Sequence, residues 1–284
     1  MGNAVGIIHP GEMGISIAAA LVNGGNMVYW ASAGRSEQSR TRAAQQGLQD
    51  AGTVEELCAR CALLVSVCPP HAAEDVAQTV AGHGFAGLYV DGNAIAPARA
   101  QRIAAIVGES GAEYVDGGIV GPPAWKPDST YLYLSGPKAQ QAAAYFGAPL
   151  VVRVLGEARD AASALKMCYA AYTKGTTALL CAILGAAEQL DVRAALVAQW
   201  AQDGKGLDTQ APQQVRTVTA KAWRFVGEME EIAATLESAG LPGGFHLAAA
   251  DVYTRLADFK DAPATPKLDA VLAALTREIA HQDV

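Results

Sequence analysis

Charge is scarce in this chain, and what there is leans acidic. Charged residues fill 17% of 284 positions and the formal net charge is −7. No basic face is left to meet nucleic acid or an anionic membrane, so neither is an expected partner. Long apolar runs are also missing: the longest, residues 178–187, is roughly half of what a bilayer crossing needs. Residues 1–10 hold no basic stretch ahead of an apolar core, so no secretory leader is expected. Cysteine is sparse, at 58, 61, 68, 168 and 181. An odd number, with the last two inside an apolar helical stretch, does not make a disulfide framework, and the expected compartment is a reducing cytoplasm. Cys58 and Cys61 form a lone CxxC that falls two ligands short of a metal site, so no metal is expected. Apolar residues, by contrast, make up 51% of the chain, enough to bury a sizeable core and to exclude disorder.

One stretch stands out, residues 157–191, EARDAASALKMCYAAYTKGTTALLCAILGAAEQLD. It lacks proline and is dense in alanine and leucine; as one helix it would span roughly 50 Å. Nearly every face is apolar, so burial on most sides is expected. A single stripe differs: Ser163, Lys166, Thr173 and Thr177 recur at helical spacing, with Tyr169 beside them. A lysine there must be paired, wet or shifted toward neutrality, and a shifted lysine exchanges protons near neutral pH. Lys166 is the leading candidate for chemistry. The plainer alternative is a lysine snorkelling from a helix edge to water.

Ahead of this helix, strands and helices alternate. Residues 4–9 (AVGIIH) have a strand's length and branching, and Pro10-Gly11-Glu12-Met13-Gly14 then opens a helical pattern, ISIAAALVNGG. Strand, glycine turn and helix is the context of a dinucleotide fingerprint. Amides at the new helix's start can hold a pyrophosphate, Gly11 lets backbone approach it, and Gly14 lets helix and strand pack closely. His9 takes the place of the fingerprint's first glycine. The second strand, residues 27–31, ends without the acid that binds ribose hydroxyls in NAD enzymes. Its loop reads Ser32-Ala33-Gly34-Arg35-Ser36, with Arg40 and Arg42 following. A guanidinium and hydroxyls suit a 2′-phosphate, so NADP is expected over NAD.

Thr53-Val54-Glu55-Glu56 is a capping box. Residues 62–67 read as a buried strand stopped by Cys68-Pro69-Pro70, residues 71–81 as a helix, and residues 88–91 as a strand ending in Gly92-Asn93. A helix from Pro97 to residue 107 and a strand at 112–116 follow. This alternation predicts a mostly parallel sheet, with ligands at the strands' carboxyl ends. Cys68, Pro69, Pro70 and Asn93 are therefore expected beside the nicotinamide half of the cofactor; capping of the next turn is the equal alternative for Asn93. Residues 116–125, DGGIVGPPAW, read as an irregular close-packed loop. Two further strands, at 130–134 and 150–154, bracket a helix at 138–146. The sheet domain should end near Leu155, which divides the chain into residues 1–156 and an all-helical 157–284.

In the second half, residues 194–201 extend the helical pattern to Trp200 and residues 203–206 break it. Residues 213–238 form a helix whose Trp223, Phe225 and Met229 should pack in the core. A helix starting at 245 runs toward Lys260, and residues 267–280 close the chain. His246 sits at a helix start, where the dipole lowers its pKa, and is read as either a substrate contact or a structural residue.

HPGEMG after the first strand, GRS after the second, then VCPP, DGN, the DGGIVGPP stretch and the lysine helix stand in a recognisable order. Over essentially its whole length the chain resembles the β-hydroxyacid dehydrogenase superfamily, which includes 3-hydroxyisobutyrate and 6-phosphogluconate dehydrogenases. It is most similar to a phosphogluconate dehydrogenase-like branch with a C-terminal domain of unassigned function. The resemblance implies an α/β Rossmann domain, a long inter-domain helix, an all-α second domain and a homodimer with interlocked helical domains. It matches Lys166 to the catalytic general acid/base and Gly11, Glu12, Met13 and Gly14 to the pyrophosphate turn. Arg35 and Ser36 match the NADP-selecting loop, and Cys68, Pro69 and Asn93 match the loops around the nicotinamide.

This chain departs from that pattern at three places. Val120, followed by Gly121-Pro122, stands where a serine grips the substrate carboxylate. Ala170 replaces an asparagine one turn past the lysine, and residues 227–231, GEMEE, lack a lysine-aspartate pair. Tyr169 and Thr173 are the expected replacements for the missing polar contacts, and the segment containing Ile119, Val120 and Gly121 is expected to position the substrate. The expected activity is NADP-dependent hydride transfer between nicotinamide and an alcohol or ketone carbon of a small organic substrate, a hydroxy acid in the first instance. Imine reduction and a non-catalytic NADP-binding role are the alternatives.

Overall fold

The computed structural model describes residues 2–277. Short branched and apolar runs make four parallel strands, β1 (Ala4–Ile7), β2 (Met27–Trp30), β4 (Leu63–Ser66) and β5 (Leu88–Asp91), and a polar pair makes a fifth, β3 (Gln49–Asp50). All four residues of β4 and of β5 are buried, as befits strands covered on both faces. The crossings are α1 (Glu12–Asn23), α2 (Glu37–Gln45), α3 (Val54–Arg60), α4 (Ala73–Gly82) and α5 (Pro97–Gly108). Thr53 caps α3 by accepting from Glu56 N at 3.2 Å, and Pro97 opens α5.

β6 (Glu113–Val120) continues the parallel set, β7 (Tyr131–Ser135) pairs antiparallel with it, and β8 (Val151–Val154) runs parallel to β7. The sheet order is β3-β2-β1-β4-β5-β6-β7-β8, with the direction of winding reversing at β1 so that a groove opens at the strands' carboxyl ends. One apolar layer joins the sheet to α1, α2 and α6 (Ala139–Ala143); a second joins it to α3, α4 and α5.

Two features of the sheet differ from expectation. β3 is a two-residue polar edge strand, Gln49 and Asp50, held by β2. The glycine-rich stretch after Asp116 is not an irregular loop: residues 116–120 pair with residues 131–135, and the strand runs on to Val120. An antiparallel neighbour satisfies the backbone groups that the glycines expose, and so overrides their low strand propensity.

The chain divides into two compact units, the break falling after Met167. It lies inside α7 (Ala161–Gln189), 29 residues long and so about 43 Å. The second unit continues with α8 (Arg193–Gln202), α9 (Leu207–Thr217), α10 (Thr219–Ser238), α11 (Gly244–Arg255) and α12 (Leu268–Thr276). The last helix, expected to run to 280, ends at Thr276 with Arg277 extended, and residues 278–280 lie outside the described residues.

α9 begins well before residue 213, with Pro212 inside it. A 3-10 turn, Ala257–Phe259, ends the α11 segment. Trp223 is exposed rather than in the core, its ring covered by Lys260 Nζ at 4.1 Å, whereas Met229 is fully buried. α7 is not buried on most sides either, since Cys168, Tyr169, Tyr172 and Leu179 form an exposed stripe. Among the described residues no helix is long and apolar enough to cross a membrane.

Candidate functional site

The groove begins where β1 turns into α1. His9 O accepts from Gly11 N at 2.9 Å, Gly11 O accepts from Ile15 N at 2.9 Å, and no side chain caps the helix. The first-turn amides of α1 thus point out of the helix toward any anion placed there. A methyl on Gly11 would meet nothing within 4 Å, whereas one on Gly14 would strike His9 O at 2.1 Å. The first glycine leaves space for a ligand; the second lets α1 lie on β1. Pro10 is buried, Met13 half-buried and Glu12 exposed along this turn.

Arg35 leans back over the groove. Its Nε is buried with no partner, and burial lowers its pKa. Its charge reaches both His9 and Cys68. Burial first, and that charge second, hold His9 down at about 4, so the imidazole is neutral at physiological pH. Ser32 is buried, and its carbonyl accepts from Arg35 N at 3.1 Å and from Arg40 at 3.0 Å. Ser36 caps α2, its hydroxyl oxygen accepting from Ser39 N at 3.3 Å, which leaves the O–H as a donor.

The loop is not free of acid, as its own residues suggest, because Asp50 arrives from β3. Burial opposes its charge, but the Ser32 hydroxyl, Gly52 N–H and Arg40 outweigh that and hold its pKa below the usual value. No local pattern marks this neighbour, because Asp50 lies far along the chain from Ser32. These features fit a dinucleotide: an uncapped helix end, an open glycine face and a guanidinium with an orphaned nitrogen.

On the other side of the groove, Asn93 ties two loops. Its Oδ1 accepts from Cys68 N at 2.6 Å and its Nδ2 donates to Ser66 Oγ at 3.3 Å. Its own N–H donates to Asp91 Oδ1 at 2.9 Å. Pro69 and Pro70 follow Cys68 into a short 3-10 turn, Pro70–Ala72. Burial, then the Asp91 charge, pushes the Cys68 thiol up to about 12, so it does not act as a nucleophile. Cys58 and Cys61 are likewise pushed to about 11 and about 12 by burial.

Lys166 lies on the first turns of α7, half-buried. A methyl on Gly118 would meet Ala162 O at 2.5 Å and Lys166 Cβ at 3.1 Å. Asp91 pairs with Asp116 in register at the end of β5, so Gly118 and the lysine packed on it lie beyond the carboxyl end of the parallel strands. The amino end of α7 is tied to this place. Asp116 Oδ1 accepts from Ser163 Oγ at 2.5 Å, and its Oδ2 accepts from Ser163 N at 2.9 Å and from Ser135 Oγ at 3.0 Å.

Ile119 and Val120 are buried in β6, with Ile119 against Gly92, and Gly121 follows with a φ of +122°. Tyr169, Thr173 and His246 belong to the helical unit. Tyr169 is 49% exposed, and Thr173 Oγ donates to Tyr169 O at 3.2 Å. His246 is buried against Gly175, with Nε2 3.4 Å from Ala171 O.

The helical unit also holds an ion pair with no sequence signal, since its members are 54 residues apart. Lys174 donates to Glu228, a residue of the GEMEE stretch, and its Nζ lies 4.3 Å from the Phe225 ring centre. Tyr253 OH donates to Lys174 O at 2.7 Å.

Residues 4–145 match the model of the NAD binding domain of 6-phosphogluconate dehydrogenase, and residues 187–256 match a domain of unknown function (DUF1932). A curated relative, an uncharacterized 28.5 kDa protein in the 7S RNA 5′ region of Methanothermus fervidus, is 30% identical over 159 residues. That alignment takes in 55% of this chain and 60% of the relative's length. Another similar solved structure is that of MTH1747, a conserved protein of unknown function with structural similarity to 3-hydroxyacid dehydrogenases. It is 26% identical, with a TM-score of 0.67 over 90% of this chain and 97% of that one. The 3-hydroxyisobutyrate dehydrogenase of Mycobacterium tuberculosis, solved with L-serine, shares the fold at a TM-score of 0.69 and 17% identity, over 98% and 100% of the two chains. An α/β domain with a glycine turn at β1, followed by a helical domain, thus has a known place: the chain belongs to the family of the NAD binding domain of 6-phosphogluconate dehydrogenase.

Proposed function

We propose that the chain is an NADP-dependent oxidoreductase that interconverts an alcohol and a ketone carbon of a small organic acid, with Lys166 exchanging the proton. Residues 1–156 serve as the cofactor domain and residues 157–284 as the substrate and dimerisation domain of a cytoplasmic homodimer. The nicotinamide, when bound, supplies a hydride acceptor or donor at its C4. The amino end of α1, with Gly11 and its neighbours His9 to Gly14, takes the pyrophosphate. Arg35, aided by Ser32 and Ser36, takes the 2′-phosphate. Asn93 holds the Cys68-Pro69-Pro70 loop as one wall of the ring's site.

In the oxidative direction the carbinol carbon loses a hydride and its hydroxyl proton passes to neutral Lys166 Nζ. In reduction the ammonium returns that proton to the forming alkoxide. Ile119, Val120 and Gly121 line the substrate side of β6, and Val120 makes that wall apolar where a carboxylate would want a donor. Tyr169, Thr173 and His246 are the polar candidates for the substrate's remaining groups.

The observation that carries this reading is Lys166 packed on Gly118, beyond the carboxyl ends of the parallel strands, the end at which β1 and β2 lead into Gly11 and Arg35. The test is a panel assay of the purified chain, following NADPH absorbance with hydroxy acids, keto acids and cyclic imines. Turnover of a hydroxy acid or keto acid is the expected result. Turnover of imines alone would replace the reading with C=N reduction, and tight NADPH binding without turnover would leave a non-catalytic binding protein.

A further inference from the structure

We infer that Asp116 is a positioning residue for Lys166, acting through the first turn of α7. This rests on the proposed role of the lysine. Asp116 and Gly118 are two residues apart on β6 and so share one face of the strand. Asp116 grips the helix from that face: Ser163 gives it both its hydroxyl, at 2.5 Å, and its amide, at 2.9 Å. Ser135 on β7 completes the clamp, donating to Asp116 at 3.0 Å and accepting from Ala162 N at 3.0 Å.

The carboxylate therefore sits at the amino end of a helix, where the dipole favours it and first-turn amides need acceptors. Gly118 supplies the second point of attachment, letting Ala162 and Lys166 lie directly on strand backbone. Ser163 and Lys166 are three residues apart and so occupy one helix face. A hydrogen-bonded clamp at one and a close backbone contact at the other fix both the rotation and the height of the helix where the amine leaves it.

The chemistry of the clamp supports the same view. Asp116 and Ser135 are wholly buried, and a buried carboxylate is a poor source of stability compared with an apolar side chain of its size. Its hydrogen-bond partners are the first turn of α7 and the serine that also holds that turn. The work left for it is directional.

The test pairs Ser163→Ala with Asp116→Asn. Reductive 13C-dimethylation labels the lysines, and the Lys166 resonance is identified by its loss in Lys166→Arg. In both variants the Lys166 titration midpoint should move by at least ~0.5 pH unit as the amine's surroundings change, while Lys174 in the helical unit stays put. With a substrate from the panel, kcat should fall ~10-fold or more, with KM and NADPH affinity held within about twofold. Faster amide exchange at residues 162–166 with an unmoved Lys166 midpoint and unmoved kcat would overturn the inference, leaving Asp116 a structural cap. Should Asp116→Asn fail to fold, Ser163→Ala, which removes one bond of the clamp, and Ser135→Ala, which removes two, decide the matter by the same readouts. Full turnover in Lys166→Ala would instead refute the proposed function, and a shifted midpoint would still report the clamp.

Discussion

Asn93 Oδ1 accepts the amide of Cys68 at 2.6 Å, joining the loop after β4 to the loop after β5. Both ends of the Asn93 amide are used, since Nδ2 reaches Ser66 Oγ. The residue is 2% exposed, so its first contribution to the groove is shape.

Asn93→Ala should therefore leave the buried amide of Cys68 without its acceptor. A loss of about 1–3 kcal/mol in unfolding free energy is expected, together with weaker NADPH binding. Urea denaturation and fluorescence titration of NADPH check the two effects. Unchanged affinity in a destabilised variant would remove Asn93 from the cofactor site.

Asp91 predicts a pH dependence. Burial first, and the Asp116 charge after it, push Asp91 up to about 7, against the favourable pull of the Asn93 N–H. A carboxyl raised in the folded state contributes stability that is complete below its ordinary pKa and is lost as pH rises through about 7. Each tenfold change in proton affinity is worth about 1.4 kcal/mol, so a few kcal/mol are at stake. Asp91→Asn, which cannot ionise, should gain on the natural chain as pH rises from about 5 to about 8. Parallel melting curves across that range would contradict the assignment.

Arg35 should read the phosphorylated ribose. Arg35→Ala is expected to weaken NADPH by ~10-fold or more, the worth of a charge-assisted hydrogen bond, while NADH affinity changes little. Equal losses for the two cofactors would assign Arg35 to the shared pyrophosphate. The nearby Asp50 makes the comparison informative, because Asp50→Asn should improve NADPH binding if both groups face the same ribose.

Lys174 and Glu228 are mostly buried, at 18% and 14% side-chain exposure. Removing one partner strands the other, so Glu228→Gln or Lys174→Met should each destabilise by ~3–5 kcal/mol. The double variant should recover part of that loss. Chemical unfolding of the three variants measures it, and additive losses would show that the two residues act separately.

How far this molecule was legible in its sequence differs from residue to residue. Lys166 was visible because a cation in an apolar helical run violates the local pattern, and β1 with Gly11 and Gly14 was visible because strand, turn and helix are contiguous. β3 was invisible: two polar residues carry no periodicity, and only the edge of β2 makes them a strand. Residues 117–120 looked like a loop because glycine disfavours strands, and β7, which holds them, follows ten residues after the strand ends. Pro212 hid the front of α9, since a proline removes the amide that would bond one turn back. The Asp116–Ser163 clamp and the Lys174–Glu228 pair are tertiary contacts between distant positions, and neither residue type nor spacing announces them.

The amine at the start of α7 is the group to remove first. Lys166→Ala should bind NADPH with an affinity within about twofold of the natural chain. In single-turnover measurements with a substrate found by the panel, it should transfer hydride ~100-fold more slowly or worse, the usual worth of a positioned acid or base. Hydride transfer at the natural rate, with NADPH bound as before, would contradict the assignment of Lys166 as the proton carrier.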